Sequence, residues 1–501
     1  MIIMENEQKK KIRTALISTF NKDGLEEVVR LLKKNNVKII STGGTAEFIK
    51  KLGAEVIEVE SLTSFPSIFG GRVKTLHPAL FGGILNRRGN IEDEKEKKAH
   101  KIGDIDLVIV DLYPFVPTEG RGSTTAEAVG KEKIELIDIG GVSLIRAAAK
   151  NFNDVVVISS RDQYKSIKIE TSLEERKRLA GEAFARTASY DFAIRAYFQG
   201  IPLRYGENPH QKGSFVGNLE ESFTQLHGKE LSYNNLLDTE AAIAVVYDFK
   251  EPAFAIVKHM NTCGLTVRLE GKLLEAYKAA YAADPVSAFG GILAANREVG
   301  EDIAKLIREQ KLFVEVIIAP NFSKEALEIL KEKKDCRILL WKNPKLPAKQ
   351  ARSSFTGMLV QDRDTHVETE NDLKIVTKRA PTEKEKEDLL VAAVAAKHLK
   401  SNAVALVKDK TLVAMGCGQT SRIDALKQAI EKAKNFGFSL KGAVLASEAF
   451  FPFPDCVEIA GAAGVTAVIH PGGSKNDQAS IDMADKFGMA MVTTGYRHFK
   501  H

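Results

Sequence analysis

The chain predicts an α/β protein of more than one domain. Short apolar strand patterns alternate with helical ones through the first two hundred residues, which is how a parallel sheet covered by helices reads. A breaker-rich stretch, 200–213, then interrupts the alternation and marks a domain boundary there. At 501 residues, two to four domains are expected at roughly 150 residues each.

Taken in order, residues 12–19 read as a strand, 24–34 as a helix, 37–40 as a second strand, 45–52 as a helix and 55–59 as a strand. The run 92–98 is so charged that it reads as a solvated loop or helix face. Residues 106–110 and 154–158 are further short strands, and 173–198 carries a long helical pattern. After residue 200 the βα patterns resume. Four apolar residues, 254–257, read as a buried strand, and Pro381-Thr382-Glu383-Lys384-Glu385 supplies a capping-box start for a helix to about residue 400. A thin internal echo links 288–292 with 449–453, each ahead of a polar stretch that starts a helix.

The bulk numbers narrow the function. Hydrophobic residues make up 44% and charged residues 28%, as in an ordinary globular protein. The net charge of +6 is spread along the chain, with one Trp and no basic arm, so small anionic ligands fit better than nucleic acid. The longest apolar run, 389–396, is too short for a bilayer, and no secretory leader pattern opens the chain. A cytoplasmic protein, with no membrane and no nucleic-acid partner, is expected. The four cysteines, Cys263, Cys336, Cys417 and Cys456, form no metal-ligand spacing and read as free thiols in a reducing compartment. No metal site is expected.

The motif richest in chemistry is Val257-Lys258-His259-Met260-Asn261-Thr262-Cys263-Gly264. A buried strand that ends on an ammonium beside an imidazole can bind an anion and move a proton, although a surface Lys-His pair is the plainer reading of that segment alone. In the first domain, Ser41-Thr42-Gly43-Gly44-Thr45 follows a strand and opens a helix. Free amides at a helix start point at anions. A tight turn with Thr45 as N-cap is the equal alternative, and Lys22 stands ready in a neighbouring loop. In Gly70-Gly71-Arg72-Val73-Lys74-Thr75 the two cations alternate, so an extended segment turns both to one side; a plain basic loop is the alternative. Tyr113 follows the strand at 106–110, at the end where open α/β sheets bind ligands, or is a simple rim residue. Asp138 precedes a Gly pair and a small-residue helix ending in Lys150, where Lys150 is equally read as a cation on the helix dipole.

These four segments resemble the inosine monophosphate (IMP) cyclohydrolase domain of the bifunctional purine-biosynthesis enzymes. Those enzymes join it to a 5-aminoimidazole-4-carboxamide ribonucleotide (AICAR) formyltransferase. The Ser-Thr-Gly-Gly-Thr turn alone also occurs in methylglyoxal-synthase-like regulatory modules; the Arg-Val-Lys-Thr-Leu-His-Pro and Asp-Ile-Gly-Gly segments sharpen the match. The second domain carries Leu203-Arg204-Tyr205-Gly206-Glu207-Asn208-Pro209, Leu231-Ser232-Tyr233-Asn234-Asn235, Ser401-Asn402, the aromatic segment 447–455 and a basic, aromatic C-terminus from Arg497 to His501. Together with Lys258-His259 they resemble the formyltransferase domain, so the likeness runs in order from about residue 10 to residue 501. The Gly416-Cys417-Gly418 turn is an incomplete dinucleotide signature. Close strand-helix passage with Ser421 as N-cap explains it better than a nicotinamide site.

The resemblance implies a methylglyoxal-synthase-like parallel-sheet domain over 1–199 and a formyltransferase domain over 200–501. The latter has two cytidine-deaminase-like subdomains that meet near 370–380. The deaminases' zinc cysteine signature is missing. It also implies a homodimer with no tightly bound cofactor, 10-formyltetrahydrofolate as cosubstrate, and AICAR, formyl-AICAR and IMP as ligands. For formyl transfer it implies His259 as base, Lys258 as stabiliser, Asn402 as donor to the developing oxygen, and contacts from Arg204, Tyr205, Asn234, Gly290, Glu315, Phe451, Asp455, Arg497 and His501. For cyclisation it implies Lys74, Tyr113, Asp138 and Lys150, with Arg72 and Thr75 positioning and Ser18, Lys22, Ser41, Thr42, Gly43, Gly44 and Thr45 around the 5′-phosphate. The family loop reads Ser-x-Ser-x-Lys; here Phe20 stands at the second serine and donates no hydroxyl.

Overall fold

The computed structural model describes residues 9–115, 134–342 and 346–501. Two compact units divide the chain after Gly200. In the first, five parallel strands lie in the order Ile57–Glu58, Lys38–Ser41, Thr14–Thr19, Leu107–Asp111, Val156–Ile158. Their central residues, such as Leu16, Ile17, Leu107 and Val108, have no exposed surface, which is why they read as continuous apolar runs rather than alternating ones. The helix Leu25–Lys34 buries Leu25, Val28, Val29 and Leu32, with acids in its first turn and lysines in its last, the helical spacing and dipole pattern expected of a core-facing helix.

The charged run is a helix, Ile91–Ala99, capped by the Asn90 side chain and burying none of its residues. The long helix Leu173–Gln199 begins with a capping box between Ser172 and Glu175. Its Arg176 is 1% exposed, and its guanidinium donates to the carbonyls of Phe152, Thr171 and Asn153. A buried cation is tolerated where hydrogen bonds replace its water.

The second unit holds one twelve-stranded sheet made of two halves with the same element order. In each half a helix leads into a two-residue hairpin, and parallel strands then follow. The first half runs from Tyr233–Tyr247 through the hairpin Ala253–Lys258 and Asn261–Val267 to the strands Gly291–Ala295, Val314–Ala319 and Arg337–Trp341. The second runs from Glu383–Lys397 through Val404–Lys408 and Thr411–Gly416 to Val444–Ser447, Ala467–His470 and Ala490–Thr493. An antiparallel edge strand closes each, Phe223–His227 and Lys374–Ile375, and the halves meet through the pair Thr266–Thr411. The echo between 288–292 and 449–453 is misaligned: the first stretch leads into a strand and the second follows one. The true repeat lies in the hairpins, whose first strands end alike on Ala255-Ile256-Val257-Lys258 and Ala405-Leu406-Val407-Lys408.

Glu383–Lys397 starts at the Thr382–Glu385 capping box. Ser421 caps Arg422–Asn435, and a Cβ on Gly416 would lie 1.8 Å from the Ala425 carbonyl, so the glycine there serves strand-helix contact. Cys263, Cys336 and Cys456 are buried and unpaired, with burial pushing each thiol up to about 12. None is a nucleophile near neutral pH. Among the described residues no helix is long and apolar enough to cross a membrane, and no cluster of His, Cys, Asp or Glu is arranged to hold a metal.

The C-terminus is not a frayed tail. His498 is 5% exposed, with Nδ1 donating to Asp364 at 2.6 Å and Nε2 to Glu368 at 2.9 Å. The backbones of Ser401 and Lys500 are also tied together. Burial opposes charging the imidazole, but the two carboxylates outweigh it and push its pKa up to about 9. A histidine pKa raised on folding adds stability that is complete below its ordinary value near 6.5 and fades as pH climbs through about 9. The expected result is an unfolding free energy from urea titration that falls between pH 6.5 and 9.5, by on the order of 3 kcal/mol at most, and that loses this slope in His498→Ala. An equal slope in the variant rejects the assignment.

Candidate active sites

In the first unit the C-terminal ends of the parallel strands gather the motif residues. Asp138 sits just before the helix Gly140–Lys150, and its Oδ1 accepts the Gly141 amide at 2.6 Å. A Cβ on Gly141 would lie 2.5 Å from that carboxylate, so only glycine lets the acid fold over the helix start. Burial raises the Asp138 pKa, and the amides of Gly141 and Tyr113 together with the Lys74 charge pull it back. Lys74 reaches across Gly71 toward Gly43, where a Cβ would stand 3.6 Å from Nζ. Lys22 donates to the carbonyls of Thr19 and Phe20. Its pKa is lowered by burial and by Lys74, against Asp111. Two ammoniums close enough to feel each other, beside the start of helix Gly43–Lys51, make a place for an anion.

The structure thus brings Lys22, Gly43, Lys74, Tyr113 and Asp138 together, with Thr75 buried against Gly140. Gly44 is open, and no atom lies within 4 Å of where its Cβ would be. Other expectations need correction. Ser41 is fully buried and donates to the Ile17 carbonyl. Thr45 is no N-cap: the cap is Thr42, while the Thr45 hydroxyl bridges the amide and carbonyl of Thr19. These two hydroxyls hold the loop and are not offered to a ligand. The Thr42 hydroxyl donates to Glu60. Ser18 is half-buried. Arg72 has helical dihedrals, so it does not alternate with Lys74 on an extended strand; it is exposed and paired with Glu135. Lys150 ends the eleven-residue helix that Asp138 begins, roughly 15 Å away at 1.5 Å per residue. Within one chain it joins an apolar groove with Phe81, Phe152 and Phe184, as a cation at a helix C-terminus. Phe20 packs on Tyr113 with ring centres 5.0 Å apart, so an aromatic pair occupies the place of the expected hydroxyl.

In the second unit a cleft of about 860 Å³ opens at the turn of the first hairpin. Lys258, His259, Arg204, Tyr205, Asn234, Gly290 and Glu315 all line it. Strand Ala253–Lys258 is buried up to its last residue, which fixes where the cation emerges. Lys258 Nζ donates to the carbonyls of Phe289 and Gly290, both at 2.9 Å. Gly290 has φ +69 and a would-be Cβ 3.0 Å from that nitrogen, so a larger residue displaces the ammonium. The imidazole of His259 is exposed and makes no hydrogen bond to a described residue, and its charge acts on the Asp238 carboxylate. The Arg204 guanidinium donates to the Tyr205 hydroxyl and lies 4.7 Å from that ring's centre, while Asn234 donates to the Glu207 carbonyl. Glu315 is committed to Arg337 at 2.7 Å, and Lys229 to Asp335 at 2.8 Å. Lys258 and Arg204 are the lining cations of this cleft without a carboxylate partner among the described residues, so an anion settles between them.

Asn402, Phe451, Asp455, Arg497 and His501 do not reach this cleft in one chain. Asn402 does not cap the preceding helix, whose cap is His398. Within one chain its Nδ2 donates to the carbonyls of Gln419 and Thr420, and its Oδ1 accepts from Arg422. Phe451 is fully buried in the core, 5.1 Å from the His470 ring; the exposed rings of that segment are Phe450 and Phe453. Asp455 starts the helix Asp455–Ala462 and accepts the Cys456 amide. Arg497 lies over Phe499, and His501 is exposed against the same ring. Sequence reasoning missed Arg337, a buried cation heading the apolar strand Arg337–Trp341, and the buried Arg422–Glu448 pair. Their one signal is a charge at the edge of an apolar run.

A parallel sheet with an anion cradle at its carboxyl edge, joined to a duplicated sheet with a cationic cleft, defines a two-site α/β enzyme for phosphorylated ligands. A family model described as an MGS-like domain matches residues 24–142, and one described as the AICARFT/IMPCHase bienzyme matches residues 148–432. The chain is 53% identical to the bifunctional purine biosynthesis protein PurH of Bacteroides thetaiotaomicron, covering 99% of this chain and 100% of that one. Proteins of the same name from Thermoanaerobacter sp. and Rhodospirillum rubrum are each 46% identical, covering 98% of this chain and 100% and 99% of theirs. The chain belongs to the AICARFT/IMPCHase bienzyme family, and it is a bifunctional formyltransferase and cyclohydrolase of purine biosynthesis.

Proposed function

We propose that the two activities divide between the two units, formyl transfer at the Lys258–His259 cleft and cyclisation at the Lys74–Asp138–Tyr113 cradle. In the first step the 5-amino nitrogen of AICAR attacks the formyl carbon of 10-formyltetrahydrofolate. That amine is a weak nucleophile because its lone pair is delocalised into the imidazole. His259 accepts its proton as the new C–N bond forms. Lys258, held by two carbonyls, keeps one N–H for the oxygen that gains charge, and the bond from formyl carbon to folate nitrogen then breaks as that nitrogen takes the proton His259 had accepted. Arg204 and Tyr205 hold the nucleotide phosphate.

In the second step the carboxamide nitrogen of formyl-AICAR closes on the formyl carbon and water leaves. Asp138 takes the amide proton, Lys74 stabilises the oxygen that departs, and Tyr113 orients the ring. Lys22 and the amides at Gly43 and Gly44 take the phosphate. Asn402, Asp455, Arg497 and His501 complete the first site from a second copy, which makes the working form a homodimer in the cytoplasm.

The observation that supports this reading is an exposed His259 imidazole, hydrogen-bonded to no described residue, beside an ammonium fixed by backbone carbonyls. Incubation of the protein with AICAR and 10-formyltetrahydrofolate is expected to yield IMP and tetrahydrofolate. Formyl-AICAR accumulating without IMP rejects the second site; no loss of formyl donor rejects the first.

A further inference from the structure

We infer that Asp238 is a positioning residue for formyl transfer: its carboxylate clamps the turn His259–Met260 and so aims Lys258 and His259 into the cleft. The inference rests on the proposed roles of those two residues. The turn is built from unfavourable parts. His259 has φ +50 and Met260 φ +62, in the left-handed region that costs a residue with a Cβ about 1 kcal/mol. Two-residue hairpins of this shape normally use Asn-Gly. The pair Lys258–Asn261 closes the hairpin, but strand pairing alone leaves the turn amides without partners. Asp238, on the neighbouring helix Tyr233–Tyr247, supplies them. Its Oδ1 accepts the Met260 amide at 2.7 Å, and the backbone and charge of His259 help hold its pKa down against burial.

The duplicated half repeats the device without the chemistry. Between Val404–Lys408 and Thr411–Gly416, Asp409 and Lys410 have φ +53 and +55. Asp388, on the equivalent helix, accepts their amides at 3.0 and 2.6 Å. The pairing of Thr266 with Thr411 sets this twin turn at the other end of strand Asn261–Val267, roughly 20 Å from His259 at 3.4 Å per residue. It bears no imidazole. Asp388 is therefore a built-in control, a carboxylate that holds the equivalent turn by its amides with no reacting group to aim.

The test compares full-length Asp238→Ala, Asp388→Ala, Asp238→Asn and His259→Ala. Each is assayed for formyl transfer, for cyclisation of preformed formyl-AICAR and for thermal midpoint. Asp238→Ala is expected to lower kcat for formyl transfer about 10- to 100-fold, the scale of a misplaced catalytic group, with KM for AICAR little changed. Asp388→Ala should lower the thermal midpoint comparably yet hold kcat within about twofold. Asp238→Asn, which keeps a carbonyl acceptor, should recover most of the rate. Cyclisation reports that each chain is folded, and Asp238→Ser replaces Asp238→Ala if the latter is insoluble. A native kcat in Asp238→Ala, an equal loss in Asp388→Ala, or an Asn variant as slow as Ala overturns the clamp. If His259→Ala is also fully active, the site assignment itself falls; if His259→Ala is crippled while Asp238→Ala is not, only the clamp falls.

Discussion

His259→Ala is expected to slow formyl transfer by about two to four decades, the usual share of a general base, and to leave cyclisation of preformed formyl-AICAR within about twofold of its starting rate. The size follows from what the ring lacks. His259 is exposed at the cleft and its ring is hydrogen-bonded to no described residue, so its removal costs little packing and breaks no side-chain hydrogen bond. The loss therefore falls on kcat rather than on stability. Lys258→Ala is a different experiment. Its ammonium spans the carbonyls of Phe289 and Gly290, and the Gly290 turn loses that tie when the lysine goes. Rate profiles of His259→Ala in which both reactions fall together rule out separate sites.

The first-unit sheet is legible in the sequence because its central strands are buried on both faces, and short apolar runs such as 107–110 and 155–158 suit a parallel sheet best. The hairpin carrying Lys258 and His259 is legible at one end only. The strand at 254–257 stands out, whereas the turn does not, because histidine and methionine are not hairpin-turn residues; Asp238 imposes that turn from 21 positions earlier in the chain. Ser41 and Thr45 mislead for a related reason. A hydroxyl in a glycine-rich turn reads the same whether it faces a ligand or its own backbone, and here both face backbone. Phe451 belongs to the same class, since an aromatic run does not say which ring is inside. Lys150 stands apart from Asp138 within one chain: a motif places residues along a helix, and an eleven-residue helix lies between the two.

The second large effect lies in the first unit. Lys74→Ala is expected to lower cyclisation by about 10²- to 10³-fold, the cost of losing one donor to a developing negative charge, with formyl transfer unaffected. Lys74 acts on two fronts. Its ammonium crosses Gly71 toward Gly43, where the phosphate cradle begins, and its charge is one of the influences holding the Asp138 pKa down against burial. Without Lys74 the buried carboxyl titrates at a higher pH. A base works only as carboxylate, so the acidic limb of the cyclisation profile should move to higher pH in the variant as the plateau falls. Lys74→Arg restores charge but not shape. A guanidinium is planar and wider than an ammonium, and the side chain already lies 2.4 Å from where a Cβ on Gly71 would be. It should therefore return the Asp138 limb toward its original position while leaving much of the rate unrecovered. A limb that stays fixed in Lys74→Ala detaches the lysine from Asp138, and an unchanged plateau removes it from the site altogether.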